Sequence, residues 1–129
     1  MILKDGTIDN EKFGQELILD LYKCDAKKIS SQKHIREFVI KLCDEIIFMR
    51  RYGEPLIPHF GLETPVTAGY SLVQLIETSC VSAHFSEYKK SVYLNIFSCK
   101  WFDADAAAEF AAKWFGSKEI RRHLLMRRD

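Results

Sequence analysis

Long apolar runs are missing from this sequence. No window approaches the roughly eighteen uninterrupted apolar residues of a membrane span, and the opening M-I-L-K-D-G-T-I-D-N lacks the apolar core of a signal peptide. No membrane association or secretion is therefore expected, and the expected compartment is the cytoplasm. Charge of one sign is not in excess either. Nineteen Lys and Arg nearly balance 18 Asp and Glu, which removes the electrostatic basis for a nucleic-acid or anionic-lipid partner. Paired cysteine motifs are absent: Cys24, Cys43, Cys80 and Cys99 stand far apart with no C-x-x-C, against a zinc ribbon or a dithiol redox site. Without a secretion signal they are expected to be free thiols, most of them buried. Cys80, His84 and Cys99 do not have a standard ligand spacing, so no metal is expected. There is no G-x-S-x-G elbow, no internal repeat and no low-complexity tract.

What is present fits one domain. A chain of 129 residues with 47% hydrophobic content is long enough for one core and too short for two. Residues 1–12 are polar and mixed, and read as a loosely held arm. Glu16 to Tyr22 alternates Leu17, Leu19 and Leu21 with other residues and predicts a strand, ended by the turn-like K-C-D-A-K-K. Ser30 or Ser31 then caps a long amphipathic helix with Ile35, Phe38, Val39, Leu42, Ile46 and Met49 on its apolar stripe. Arg50 and Arg51 suit its negative end and Gly53 its stop. Residues 54–69 hold all three prolines and read as a bulged edge strand followed by a long loop, where His59 and Phe60 are candidates to line a pocket.

Three strand-like runs follow, Tyr70 to Ile76, Ser79 to Phe85 and Ser91 to Ser98, with E-Y-K-K as the hairpin turn between the last two. Asp103 is a natural cap for an alanine-rich helix that Gly116 ends. Glu119 to Arg127 closes as a strand, and the C-terminal arginines Arg121, Arg122, Arg127 and Arg128 read as a solvated edge strand and tail that keep the edge soluble. The order β-α-β-β-β-β-α-β predicts an α+β fold, a two-layer α/β sandwich with one mainly antiparallel sheet and two helices on one face. Its other face would be left bare, so the expected partner is a second copy, in a homodimer.

The chemistry concentrates between Ser71 and Cys99. Ser79, Cys80, Ser82 and His84 lie within six residues, and a serine near a histidine suggests nucleophilic catalysis. Alternation puts Ser79, Val81, Ala83 and Phe85 on one face of a strand and Cys80, Ser82 and His84 on the other. Ser79 and His84 would then meet only if the strand turns, bulges or ends between them. No carboxylate is obviously placed to orient His84, which leaves a hydrolase triad weakly supported.

From Phe13 to Arg127 the chain resembles the bacterial, pyruvoyl-dependent S-adenosylmethionine decarboxylase family. The likeness is carried by G-Q-E-L-I-L-D-L-Y-K-C-D (Gly14 to Asp25), by S-C-V-S-A-H (Ser79 to His84), which is similar to the family's S-H-x-S/T-x-H, and by F-S-C (Phe97 to Cys99), which is similar to its F-T-C. Ser71, Ser79, His84 and Cys99 fall in the family's order and intervals. The resemblance implies self-cleavage between Thr78 and Ser79, leaving a pyruvoyl cofactor made from Ser79. It assigns proton transfers to His84 and Ser71, with Cys99 as the acid that returns a proton to the product carbon. The ketone would form a Schiff base with S-adenosylmethionine, the implied substrate, and act as electron sink in decarboxylation for spermidine synthesis.

Three positions depart from the family pattern. Thr78 stands where the family has glutamate, Cys80 where it has histidine, and Phe85-Ser86-Glu87 follows His84 in place of T-W-P-E. His59, Phe60 and Glu87 are the candidates to replace the aromatic and acidic residues that hold the adenosyl group in the family. Two other readings stay open: a decarboxylase of another amino acid such as arginine or ornithine, and an unprocessed, non-catalytic member acting as a binding or regulatory subunit.

Overall fold

Strict alternation of apolar residues in an antiparallel sheet buries one face and leaves the other to solvent. The computed structural model describes residues 12–60 and 64–128 and shows that arrangement. Most of the arm read into residues 1–12 lies outside the described residues. The elements are β1 (Lys12–Tyr22), α1 (Ala26–Ile29), α2 (Gln32–Lys41), β2 (Arg51–Leu56), β3 (Ser71–Ile76), β4 (Ser79–Ser86), β5 (Ser91–Ser98), α3 (Ala104–Trp114) and β6 (Glu119–Arg128). The six strands form one sheet, in the order β2-β3-β4-β5-β1-β6, with every neighbouring pair antiparallel. This is the predicted two-layer α+β architecture.

Leu17, Leu19, Leu21, Leu72, Val81, Phe85, Leu94 and Ile96 form the inner face and are buried beneath α2 and α3. Phe115, just past α3, stands between Phe38 of α2 (ring centroids 4.7 Å) and Phe85 of β4 (5.2 Å), which ties both helices to the sheet. Each such ring contributes about 1.5–3 kcal/mol by burial. His34 and Trp114 cross-link the helices: the His34 Nε2–H donates to the Trp114 carbonyl at 2.9 Å, the Trp114 Nε1–H to the His34 carbonyl at 3.0 Å, and the rings stack at 4.8 Å.

Two local expectations are corrected. The K-C-D-A-K-K stretch does not remain a turn, because Asp25 accepts from the Lys27 and Lys28 amides and caps the short α1. The long helix does not reach Gly53. After Lys41 it widens into a π-helical turn, Leu42–Ile46, and the chain leaves it at Phe48 (φ +55). Leu42, Cys43, Ile47 and Met49 stay buried through that turn, so the apolar spacing continues after the helix has ended. Gly53 lies instead inside edge strand β2, at φ +73 where the register with β3 shifts, a bulge conformation that disfavours a side chain.

Strand β6 is exposed along its whole length, as the reading of its arginines as edge protection requires. Arg122 pairs with Asp105 at 2.6 Å and Arg127 with Glu16 at 2.8 Å.

Candidate active site

Register fixes which chemical groups can meet. On the open face of the sheet the strands align in rows: Leu75, Cys80, Phe97 and Glu16 in one, Val73, Ser82, Asn95 and Ile18 in the next, Ser71, His84, Tyr93 and Asp20 in the third. Ser71 and His84 are therefore direct cross-strand partners, and the Ser71 hydroxyl lies 3.1 Å from His84 Nδ1. His84 is half-buried, on the open-face side of β4.

Ser79 is not part of that pair. Strand β4 runs from Ser79 to Ser86 in unbroken register with both neighbours, so the bulge that would have brought Ser79 to His84 does not occur. At about 3.3 Å per residue the two are some 16 Å apart along the strand. Within one chain the candidate nucleophile and the candidate acid–base pair occupy opposite ends of the same sheet.

At the Ser79 end, β3 and β4 are joined by the two-residue turn Glu77-Thr78. The backbone amide of Cys99 donates to the Thr78 carbonyl at 3.1 Å. That carbonyl belongs to the Thr78–Ser79 peptide, so a fixed N–H already points at the oxygen on which negative charge would develop if Ser79 attacked. Ser79, first in its strand, is half-buried, and Cys99 is exposed beside it. On the other side of β5, Gly14 lets β1 approach the same strand end closely, since a Cβ there would lie 2.4 Å from the Ser98 carbonyl oxygen and 2.8 Å from the Cys99 Cα.

The residues expected to hold substrate divide. His59 and Glu87 meet, Nε2 to Oε2, at 3.0 Å, and the His59 ring stands edge-on to Tyr70 at 4.8 Å. Phe60 follows, 73% exposed. All three belong to the His84 end, not to the Ser79 end. Sequence reasoning missed the aromatic and acidic groups beside Cys99: Phe13 stacks on Phe97 (6.4 Å), Arg127 lies over the same ring (5.6 Å), and Glu16 binds both Arg127 and Asn95 (3.1 Å). The irregularity between Lys12 and Gly14 sets Phe13 outside the alternation of β1, which no periodicity reveals.

All four cysteines are free, and only two are buried. Burial pushes the Cys24 thiol up to about 11 and the Cys43 thiol up to about 12, so both are inert packing groups. Cys80 is half-buried and Cys99 exposed, a correction to the expectation that most would be enclosed. Among the described residues no helix is long and apolar enough to cross a membrane.

Comparison with known proteins bears on this arrangement. The family model for S-adenosylmethionine decarboxylase matches residues 15–128. The crystal structure of the adenosylmethionine decarboxylase from Aquifex aeolicus VF5 superposes with a TM-score of 0.75 at 21% identity, over 91% of this chain and 92% of that one, which establishes a shared fold. No curated protein matches the sequence closely enough to serve as a relative.

Proposed function

The chain belongs to the S-adenosylmethionine decarboxylase family, and from that premise we propose that it cleaves itself between Thr78 and Ser79 and then decarboxylates S-adenosylmethionine, for polyamine synthesis. The observation that carries the reading is the Cys99 N–H on the Thr78 carbonyl, at a turn where the next residue is a half-exposed serine. Ser79 Oγ would attack that carbonyl carbon. The C–N bond breaks as the Oγ–C bond forms, the hydroxyl proton passes to the Ser79 nitrogen, and an ester with a free amine results. Removal of the Ser79 α-proton then expels the Thr78 carboxylate, and water releases the nitrogen as ammonia, leaving a ketone at the new terminus.

The residues present suit that product. Half-exposed Ser79 would carry a pyruvoyl group at the sheet end, with exposed Cys99 as proton donor and the stack of exposed Phe13 on half-buried Phe97 as an apolar surface for an adenine ring. When formed, the pyruvoyl group supplies the electron sink for loss of carbon dioxide.

Such a site calls for an acid–base group that one chain keeps some 16 Å away by strand rise. A homodimer resolves this. The open face exposes Val73, Leu75, Tyr93 and Leu125, an apolar surface suited to a second sheet packed about 10 Å away. In an antiparallel two-fold arrangement the His84 end of one sheet would lie against the Ser79 end of the other, which is how a second copy would supply the missing acid–base group.

The test is the mass of the denatured protein. Fragments 1–78 and 79–129, the second lacking the Ser79 amine and reacting with a ketone reagent, are expected. Heat stabilisation by S-adenosylmethionine and none by arginine or ornithine would then identify the substrate. A single full-length species after long incubation would overturn catalysis and leave a non-catalytic binding protein.

A further inference from the structure

The Thr78–Ser79 peptide is held by its side chain as well as by its carbonyl. The Thr78 hydroxyl lies 2.7 Å from the hydroxyl of Ser98, the residue paired across the sheet with Ser79. Ser98 is fully buried, which is unusual for serine and costly unless its oxygen is satisfied. Its Oγ accepts from the Lys100 amide at 2.9 Å, and Met49 Sδ lies 3.4 Å from the Thr78 hydroxyl and 3.9 Å from that of Ser98. One set of donors satisfies every group: Lys100 N–H donates to Ser98, the Ser98 hydroxyl to Thr78, and the Thr78 hydroxyl to the Met49 sulfur. The chain of donors begins in the backbone of the β5–α3 connection and ends in the buried methionine that follows the π-helical turn.

We propose that the Thr78–Ser98 hydroxyl pair positions the scissile peptide for self-cleavage; this rests on the self-cleavage reading above. Ser98 and Cys99 are consecutive, so one short stretch of backbone grips Thr78 twice, at Oγ1 through Ser98 and at the carbonyl through the Cys99 amide. Rotation of the Thr78–Ser79 peptide plane would break the second contact, and the first resists that rotation. Neither hydroxyl touches the reacting bond, so both are positioning residues. Their effect is to keep the carbonyl on its N–H donor while Ser79 Oγ forms the new bond and the amide nitrogen receives the proton.

The experiment follows fragment formation over time by mass, in the full chain, for Ser98→Ala, Thr78→Val and Thr78→Ser. The first two variants should each slow cleavage about tenfold or more, and their combination should be little worse than either, since both remove the same contact. Thr78→Ser returns the hydroxyl and should recover most of the rate that Thr78→Val loses. The contact itself is read in the uncleavable Ser79→Ala chain, where Ser98→Ala should speed hydrogen exchange at the Cys99 amide about tenfold. Cleavage of Ser98→Ala and Thr78→Val at the wild-type rate, or an unchanged Cys99 amide, overturns the pair and leaves self-cleavage standing. A wild-type chain that stays whole overturns both. Should Ser98→Ala not fold, the half-exposed Thr78 supplies the same test through Thr78→Val and Thr78→Ser.

Discussion

The Ser71 hydroxyl and His84 Nδ1 lie 3.1 Å apart across the β3–β4 register, while Ser79, on the same strand as His84, is out of reach of both. The candidate proton-transfer pair and the candidate nucleophile therefore lie at opposite ends of one sheet, and by register Ser79 shares the row of Ile76 and Ser98 and not the open-face rows. If two chains complete each other, variants missing different halves should rescue one another. Ser79→Ala and His84→Ala chains should each stay intact alone, and co-expression should restore cleavage of the His84→Ala chain, detected as its 1–78 and 79–129 fragments. A mixture that stays uncleaved would contradict the shared site.

Processing and turnover should separate at Cys99. Its backbone amide, which any residue retains, faces the Thr78 carbonyl, whereas its exposed thiol is the candidate proton donor to product. Cys99→Ala is thus expected to leave fragment formation near wild type and to lower decarboxylation about 100-fold or more. Ser79→Ala should abolish both. Timed mass measurements with carbon dioxide release check the split, and equal loss of both by Cys99→Ala would count against it.

The close approach at Gly14 is a third point of test. An added Cβ meets backbone, 2.4 Å from the Ser98 carbonyl oxygen, with no flexible side chain to yield. Gly14→Ala must push β1 away from the end of β5, at about 1–3 kcal/mol of stability. Because that end carries Ser98 and Cys99, fragment formation should slow as well. A thermal melt beside a cleavage time course measures both, and an unchanged rate would show that the strand end adjusts without losing its hold on Thr78.

These expectations depend on features that were unevenly legible in the sequence. The strands and the buried face were, because period-two alternation in β1, β4 and β5 follows directly from the pleat. Asp103 and the alanines of α3 identified that helix by capping and propensity. The end of α2 was hidden, since the π-helical turn keeps Leu42, Ile47 and Met49 buried and so imitates a helical stripe beyond the helix. At the candidate site, residue types and order pointed to Ser71, Ser79, His84 and Cys99, but only the register shows that they form two groups. The Thr78–Ser98 contact joins residues twenty positions apart through a two-residue turn, and Phe13 owes its place to an irregularity in β1. Neither leaves a mark on periodicity.

The cysteines give the last prediction, in reactivity and in alkaline stability. At pH 8 an alkylating reagent should modify Cys99 first and Cys80 next, leaving Cys24 and Cys43 untouched until the protein unfolds, because only the thiolate reacts and burial raises both inner thiols. The same burial ties those two groups to stability. Each holds its proton more tightly in the folded chain, at about 11 for Cys24 and about 12 for Cys43, than at the ordinary value of 9.0. Their contribution is complete below about pH 9 and is lost as the pH climbs through 11 and 12, since the unfolded chain then releases protons that the folded one retains. Melting temperature should accordingly fall from pH 9 upward, and less steeply in Cys43→Ala than in wild type even if that variant starts lower through its small cavity. Parallel pH profiles for the two proteins would show that Cys43 contributes nothing to the alkaline decline.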